Sequence, residues 1–205
     1  MPGMSPIKRA PAYERLLAEL AKLPGIGRRS AERIALHLIK QPPEAATALA
    51  QALHDFRANL KVCRITGMVS EHDPCDIATD PSRDHGVILV VEQPSDVLTL
   101  EQTGTYRGSY HVLMGRLAPL DAVGPGDLNI DGLLQRIEAG GIREVILGTN
   151  PTLEGDGTAM YLSERLAATG VKVTRLARGM PTGQSLDTMS KAVLADALAG
   201  RTGVG

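Results

Sequence analysis

The period of the apolar positions changes partway along the chain. Up to about residue 61 it is helical. Leu16, Leu17, Leu20 and Leu23 share one face, and Ala31, Ile34, Ala35 and Leu38 repeat at i, i+3, i+4 and i+7. Leu49, Leu53, Phe56 and Leu60 mark a third helix, opened by Pro42-Pro43 and ending near Lys61. Beyond it, short β-branched runs alternate with helical stretches. Val87 to Val91, His111 to Met114, Val145 to Leu147 and Val171 to Thr174 read as strands, three of them apolar enough to be buried on both faces. Helices are predicted over about 95–103, 131–140 and 157–169, with a last one over about 188–199. An all-helical front followed by strand-helix alternation predicts an α/β protein. Its parallel sheet should gather functional groups at the carboxyl ends of the strands.

The most informative local feature is the turn between the first two helices, Leu23-Pro24-Gly25-Ile26-Gly27-Arg28-Arg29-Ser30. Pro24 disfavours the α region for Leu23, while Gly25 and Gly27 permit backbone conformations and close approaches that a Cβ blocks. The next helix starts at the turn, so its unpaired N–H groups and positive dipole end point outward, ringed by Lys22, Arg28, Arg29 and Arg33. The arrangement resembles the helix-hairpin-helix motif, which grips the DNA backbone without reading sequence. The plain alternative is a helical hairpin with a solvated basic face. Net charge is −1, yet residues 1–40 hold 8 basic against 3 acidic side chains and residues 65–156 hold 5 against 15. A basic front suits phosphates, and an acidic middle suits a metal, a basic partner or plain solvation.

With 205 residues and 43% hydrophobic content the chain is long enough to fold alone. It has no apolar run of the ~20 residues that span a bilayer and no signal-peptide-like start, so a cytoplasmic, nucleoid-associated location is expected. Cys63 and Cys75 are its two cysteines, too few for a disulfide framework.

At the expected strand ends stand Glu92 and the loop Gly148-Thr149-Asn150-Pro151-Thr152-Leu153-Glu154-Gly155-Asp156. A glutamate after one strand and an acidic loop after another resemble the Toprim domain, whose carboxylates hold magnesium for phosphoryl transfer. The resemblance places two aspartates where this chain has Asn150 and Thr152, leaving Glu92, Glu154 and Asp156 as an acidic remnant. Two neutral replacements weaken a magnesium site. Taken without the family, Glu92 and Glu154 are carboxylates at helix starts.

Several further motifs occur in one order: Glu92-Gln93-Pro94-Ser95-Asp96, Gly104 to Gly108, Gly115 to Asp121, Thr149 to Thr152 and Arg175-Leu176-Ala177-Arg178-Gly179. With the hairpin and the cysteines they resemble the RecR family of recombination mediators over about residues 10–200. The resemblance implies a ring-shaped tetramer or a dimer that encloses DNA and works with RecO and RecF to load recombinase onto gapped DNA. It also implies a four-cysteine zinc site, whose positions here read Cys63, Thr66, Cys75 and Ala78. Thr and Ala supply no soft ligand, so no metal and no cofactor are expected. His72, Asp73 and Asp76 are the nearby side chains able to replace the missing ligands.

The expected organisation is a helix-hairpin-helix region over 1–61, a degenerate zinc-finger-like segment over 62–84, a Toprim-like domain over 85–180 and a C-terminal loop and helix over 181–205. Leu186, Met189, Val193, Leu194 and Leu198 offer that last helix an apolar face for subunit contact. The loop Arg178 to Ser185 lacks the spacing and lysine of a phosphate-binding loop. The expected function is a non-catalytic DNA clamp and mediator. Its rival is a metal-dependent Toprim nuclease or primase-like enzyme, which needs the acidic cluster that Asn150 and Thr152 interrupt. A base glycosylase needs stacking aromatics, and these are 2% of the chain.

Overall fold

The computed structural model describes residues 10–201; the ends of the first and last sequence segments, 1–9 and 202–205, lie outside the described residues. The chain divides into two compact units between Leu60 and Lys61.

Among the described residues the first unit holds three helices, α1 (Pro11–Leu20), α2 (Arg28–Lys40) and α3 (Pro43–Asn59). Both α1 and α3 begin with proline in the first turn, where its missing N–H costs nothing. Leu17, Ala31 and Ala35 form the core, with Tyr13, Leu20 and Ile26 packed around it. The small alanines on α2 let α1 lie close. Helix α1 stops at Leu20, and Leu23, expected on its apolar face, lies in the turn and is 50% exposed. Its neighbour Pro24 cannot continue a helix. The stripe predicted for α3 is present, but Leu49, Leu53 and Phe56 are exposed and α3 buries no residue.

The second unit opens with a small antiparallel hairpin, β1 (Lys61–Val62) and β2 (Val69–Ser70), then the one-turn helix α4 (Asp76–Thr79). Two-residue strands have no measurable period, so this hairpin is invisible in the hydrophobic pattern. The main sheet holds β3 (Asp84–Val91), β4 (Gly108–Val112), β5 (Glu144–Leu147) and β6 (Lys172–Arg175) in the order β4-β3-β5-β6, every neighbour parallel. Helices α5 (Pro94–Gln102), α6 (Ile130–Glu138) and α7 (Leu153–Ala167) connect them, and α8 (Lys191–Ala199) follows the last strand. The side chains of β3 alternate between two cores. Ile88 and Val90 pack with Leu113, Leu133, Val145, Leu147, Leu162 and Leu166, whereas Leu89 and Val91 pack with Val97, Tyr110, Val112, Cys63, Met68 and Cys75. A sheet covered on both faces explains the unbroken apolar run of β3.

Two of the shifted sequence boundaries bear on the site. Met114, expected to close a strand, is a half-exposed residue with φ +64° that turns the chain out of the sheet after β4. Helix α7 starts at Leu153 rather than near 157, so Glu154 and Asp156 lie in its first turn instead of in a loop.

Candidate functional site

Gly25 turns the chain with φ +77°, a left-handed conformation that glycine adopts without strain. Gly27 is different. Its backbone is extended, and an added Cβ would meet nothing within 4 Å, so the space beside it is open. Gly27 is also the N-cap of α2, and no side chain caps it, which leaves first-turn amides of α2 facing outward. Arg28, Arg29 and Arg33 are exposed on this helix. Arg28 leans on Glu14 at 3.3 Å and Glu32 at 3.8 Å, and Lys22 is paired with Glu19 at 2.8 Å. Such exposed pairs are worth at most ~1 kcal/mol and yield easily to a phosphate.

In the second unit the carboxyl ends of the strands carry the polar groups, as the alternation predicts. Glu92 follows β3 and is only 1% exposed. Its Oε1 accepts the Asn150 backbone N–H at 2.8 Å and its Oε2 accepts the Asn150 amide at 2.8 Å. One asparagine thus satisfies both oxygens. An aspartate there would set a second negative charge against the first unless a cation lay between them. The loop after β5 reaches Glu92 because Gly155 has no side chain: a Cβ would collide with the Asn150 carbonyl and stand 2.9 Å from Glu92 Oε1. Thr152 is the N-cap of α7, its hydroxyl accepting the Gly155 N–H at 3.1 Å. Both neutral residues of the degenerate acidic pair therefore have structural hydrogen bonds of their own.

Glu92 does not serve as a cap. Helix α5 is closed by Asp96, whose carboxylate accepts the Gln93 N–H at 2.8 Å. Asp156 is turned away to another pair of residues, Arg175 at the end of β6 and Arg178 beyond it. Hydrogen bonds from Arg178 and Arg175 hold its carboxyl below the ordinary range. Arg178 also reaches Asp196 of α8 at 3.6 Å, which ties the last helix to this edge. Glu154 is bonded through its backbone carbonyl, which accepts the Thr158 hydroxyl at 2.7 Å. Among the described residues no three His, Cys, Asp or Glu side chains converge to hold a metal ion. Both arginines belong to the Arg175 to Gly179 motif, but their role depends on β5 and β6 being neighbours.

The cysteine segment brings Cys63, Thr66 and Cys75 together in one buried pocket, with Ala78 packed against the same core. The Thr66 hydroxyl lies 3.1 Å from Cys75 Sγ, and the Cys75 N–H donates to Cys63 Sγ at 3.3 Å. Burial pushes the Cys75 thiol up. Burial acts on Cys63 too, but hydrogen bonds from Thr66 and from backbone N–H groups outweigh it and bring that thiol down. The donors present do not fit the zinc that the family resemblance implies: two sulfurs, a hydroxyl already engaged with one of them, and a methyl group. Asp73 accepts the Arg64 N–H at 2.9 Å, and His72 and Asp76 point to solvent, so none replaces a ligand.

The family model described as the RecR helix-hairpin-helix matches residues 13–57, and that of the Toprim domain matches residues 86–177. Curated relatives are similar over nearly the whole chain. "Recombination protein RecR" of Rhodopirellula baltica is 47% identical over 94% of this chain and 96% of its own length. The protein of the same name from Desulforudis audaxviator is 49% identical over 91% and 94%. That from Agrobacterium fabrum is 48% identical over 94% and 96%. No helix among the described residues is long and apolar enough to cross a membrane.

Proposed function

This chain belongs to the RecR family of recombination proteins, and on that premise we propose that it is a non-catalytic DNA-binding mediator of recombinational repair. It clamps gapped DNA in the cytoplasm as a dimer or a ring of four and works with RecO and RecF to load recombinase. The observation that carries this reading is the hairpin: a left-handed Gly25, open space at Gly27, an uncapped helix start and exposed Arg28, Arg29 and Arg33. These groups match a phosphate in charge and in donor type, which supports backbone contact. Self-assembly is supported by apolar residues left exposed on α2 and α3, namely Leu36, Ile39, Leu49, Leu53 and Phe56. The absence of catalysis is supported by Glu92, whose two oxygens are satisfied by Asn150.

The test is the salt dependence of binding to gapped DNAs of unrelated sequence, for the parent and for Arg28→Glu/Arg29→Glu. Each phosphate that the protein no longer neutralises lowers the slope of log K against log salt by about 0.9, so the double variant's slope should fall by about 2 and its binding weaken on every sequence alike. An unchanged slope, or weakening confined to one sequence, overturns the placement. In the same samples DNA incubated with magnesium or manganese should remain intact, and metal-dependent cleavage that Glu92→Gln abolishes would overturn the non-catalytic reading.

A further inference from the structure

Arg136 of α6 is a largely buried cation that the hairpin and the acidic remnant do not use. Its guanidinium donates to the Tyr110 carbonyl at 2.7 Å and to the Ser109 hydroxyl at 3.0 Å. Among the described residues it meets no carboxylate. A buried charge without an opposite charge is costly, so an arginine held this way marks a place where negative charge is accommodated. Arg136 lines a cleft of about 350 Å³ together with Ile65 and Ala78. Ala78, the fourth zinc position by family resemblance, packs against the same core as both cysteines and offers only a methyl group. Ala78 and the unmatched guanidinium thus border the same cleft, and negative charge on Cys63 and Cys75 favours the charged form of Arg136.

The two sulfurs are adjacent, the Cys63 sulfur accepting the Cys75 N–H and the two thiols interacting with each other. Two thiolates leave a zinc ion two donors short, because the Thr66 hydroxyl is engaged with Cys75 and Ala78 has no donor. Soft monovalent cations of closed d shell are satisfied by two soft sulfurs. We propose that Cys63 and Cys75 form a binding site for one soft monovalent cation, of the copper(I) and silver(I) class, held as a two-thiolate complex beside Arg136. On binding, both S–H protons leave to solvent and two metal–sulfur bonds form with no change of oxidation state. One positive ion and two thiolates carry a net charge of −1, which the guanidinium balances.

Native mass spectrometry of the reduced full-length protein, titrated with silver(I) and separately with zinc and then desalted, tests this. The parent should retain one silver per chain, seen at fixed charge state as a mass increment of one silver less one proton, and no zinc. Cys63→Ser and Cys75→Ser should each lose the silver, and Arg136→Met should bind it at least ~10-fold more weakly. Thr66→Cys/Ala78→Cys restores four sulfurs and should retain one zinc per chain, a gain that failed folding cannot produce. The proposal is overturned if the parent holds zinc or holds no silver. It is equally overturned if both serine variants keep the ion, if Arg136→Met binds as the parent does, or if the double-cysteine variant takes no zinc.

Discussion

Replacing Asn150 by aspartate changes one amide into one carboxyl group at the point where the degenerate acidic pair meets. The Asn150 amide donates to Glu92 Oε2 at 2.8 Å, and Glu92 is almost fully buried. Removing that charge-assisted bond costs about 1.5–3 kcal/mol. Two carboxylates at that separation would repel by about 6 kcal/mol at an effective dielectric constant of 20. The variant avoids the full repulsion by keeping a proton, and holding a carboxyl neutral at pH 7 against an ordinary value near 3.9 costs about 4 kcal/mol. Protonation is the cheaper route and also restores a donor, so Asn150→Asp should be destabilised by about 4 kcal/mol at pH 7. The pair's apparent pKa in the folded state lies above that in the unfolded state, so the penalty should shrink as pH falls, by about 1.4 kcal/mol per unit until the unfolded value is reached. Magnesium bridging the two carboxylates should relieve it at constant pH. Urea unfolding at pH 7, in chelator and in millimolar magnesium, measures both effects. A variant as stable as the parent in chelator, or magnesium that stabilises both proteins equally, refutes the reasoning.

Two further outcomes follow from the same geometry. His111, 1% exposed with Nε2 at 2.6 Å from the Asn129 carbonyl, has its pKa lowered to about 4, chiefly by burial and also by the charge of Arg136. The unfolded chain protonates near 6.5, so stability present above that pH should fall by about 3 kcal/mol between pH 6.5 and 4; a folded-state NMR titration of His111 near 6.5 would contradict this. Thr152→Ala removes the N-cap of α7 and should cost about 1 kcal/mol in urea unfolding, and unchanged stability would show that the Gly155 amide finds another partner.

Much of this architecture is written locally. The hairpin turn is set by Pro24, Gly25 and Gly27 within a few residues, and the parallel sheet follows from alternating short apolar runs and helices. The pairings that build the carboxylate site are not local. Glu92 meets Asn150 because β3 neighbours β5, and Asp156 meets Arg175 because α7 lies against the β5 and β6 edge. Strand order depends on which side each crossover returns to, and no residue pattern records it. The start of α7 is masked by Gly155 and Gly157, poor helix formers. Thr152, standing before them, is the residue that signals it. Met114 has a side chain suited to a strand, but its backbone is left-handed.

Among the described residues the first unit rests on a core of three buried residues, two of them alanine. Such a core hides little apolar surface relative to the entropy of ordering some fifty residues, while larger side chains such as Ile39 and Phe56 stay in water. Whatever covers those side chains is therefore thermodynamically part of this unit's fold. On the proposed self-assembly, protein concentration enters the stability of the first unit as ligand concentration enters that of a receptor. Dilution of such an assembly then acts on the first unit as a denaturant.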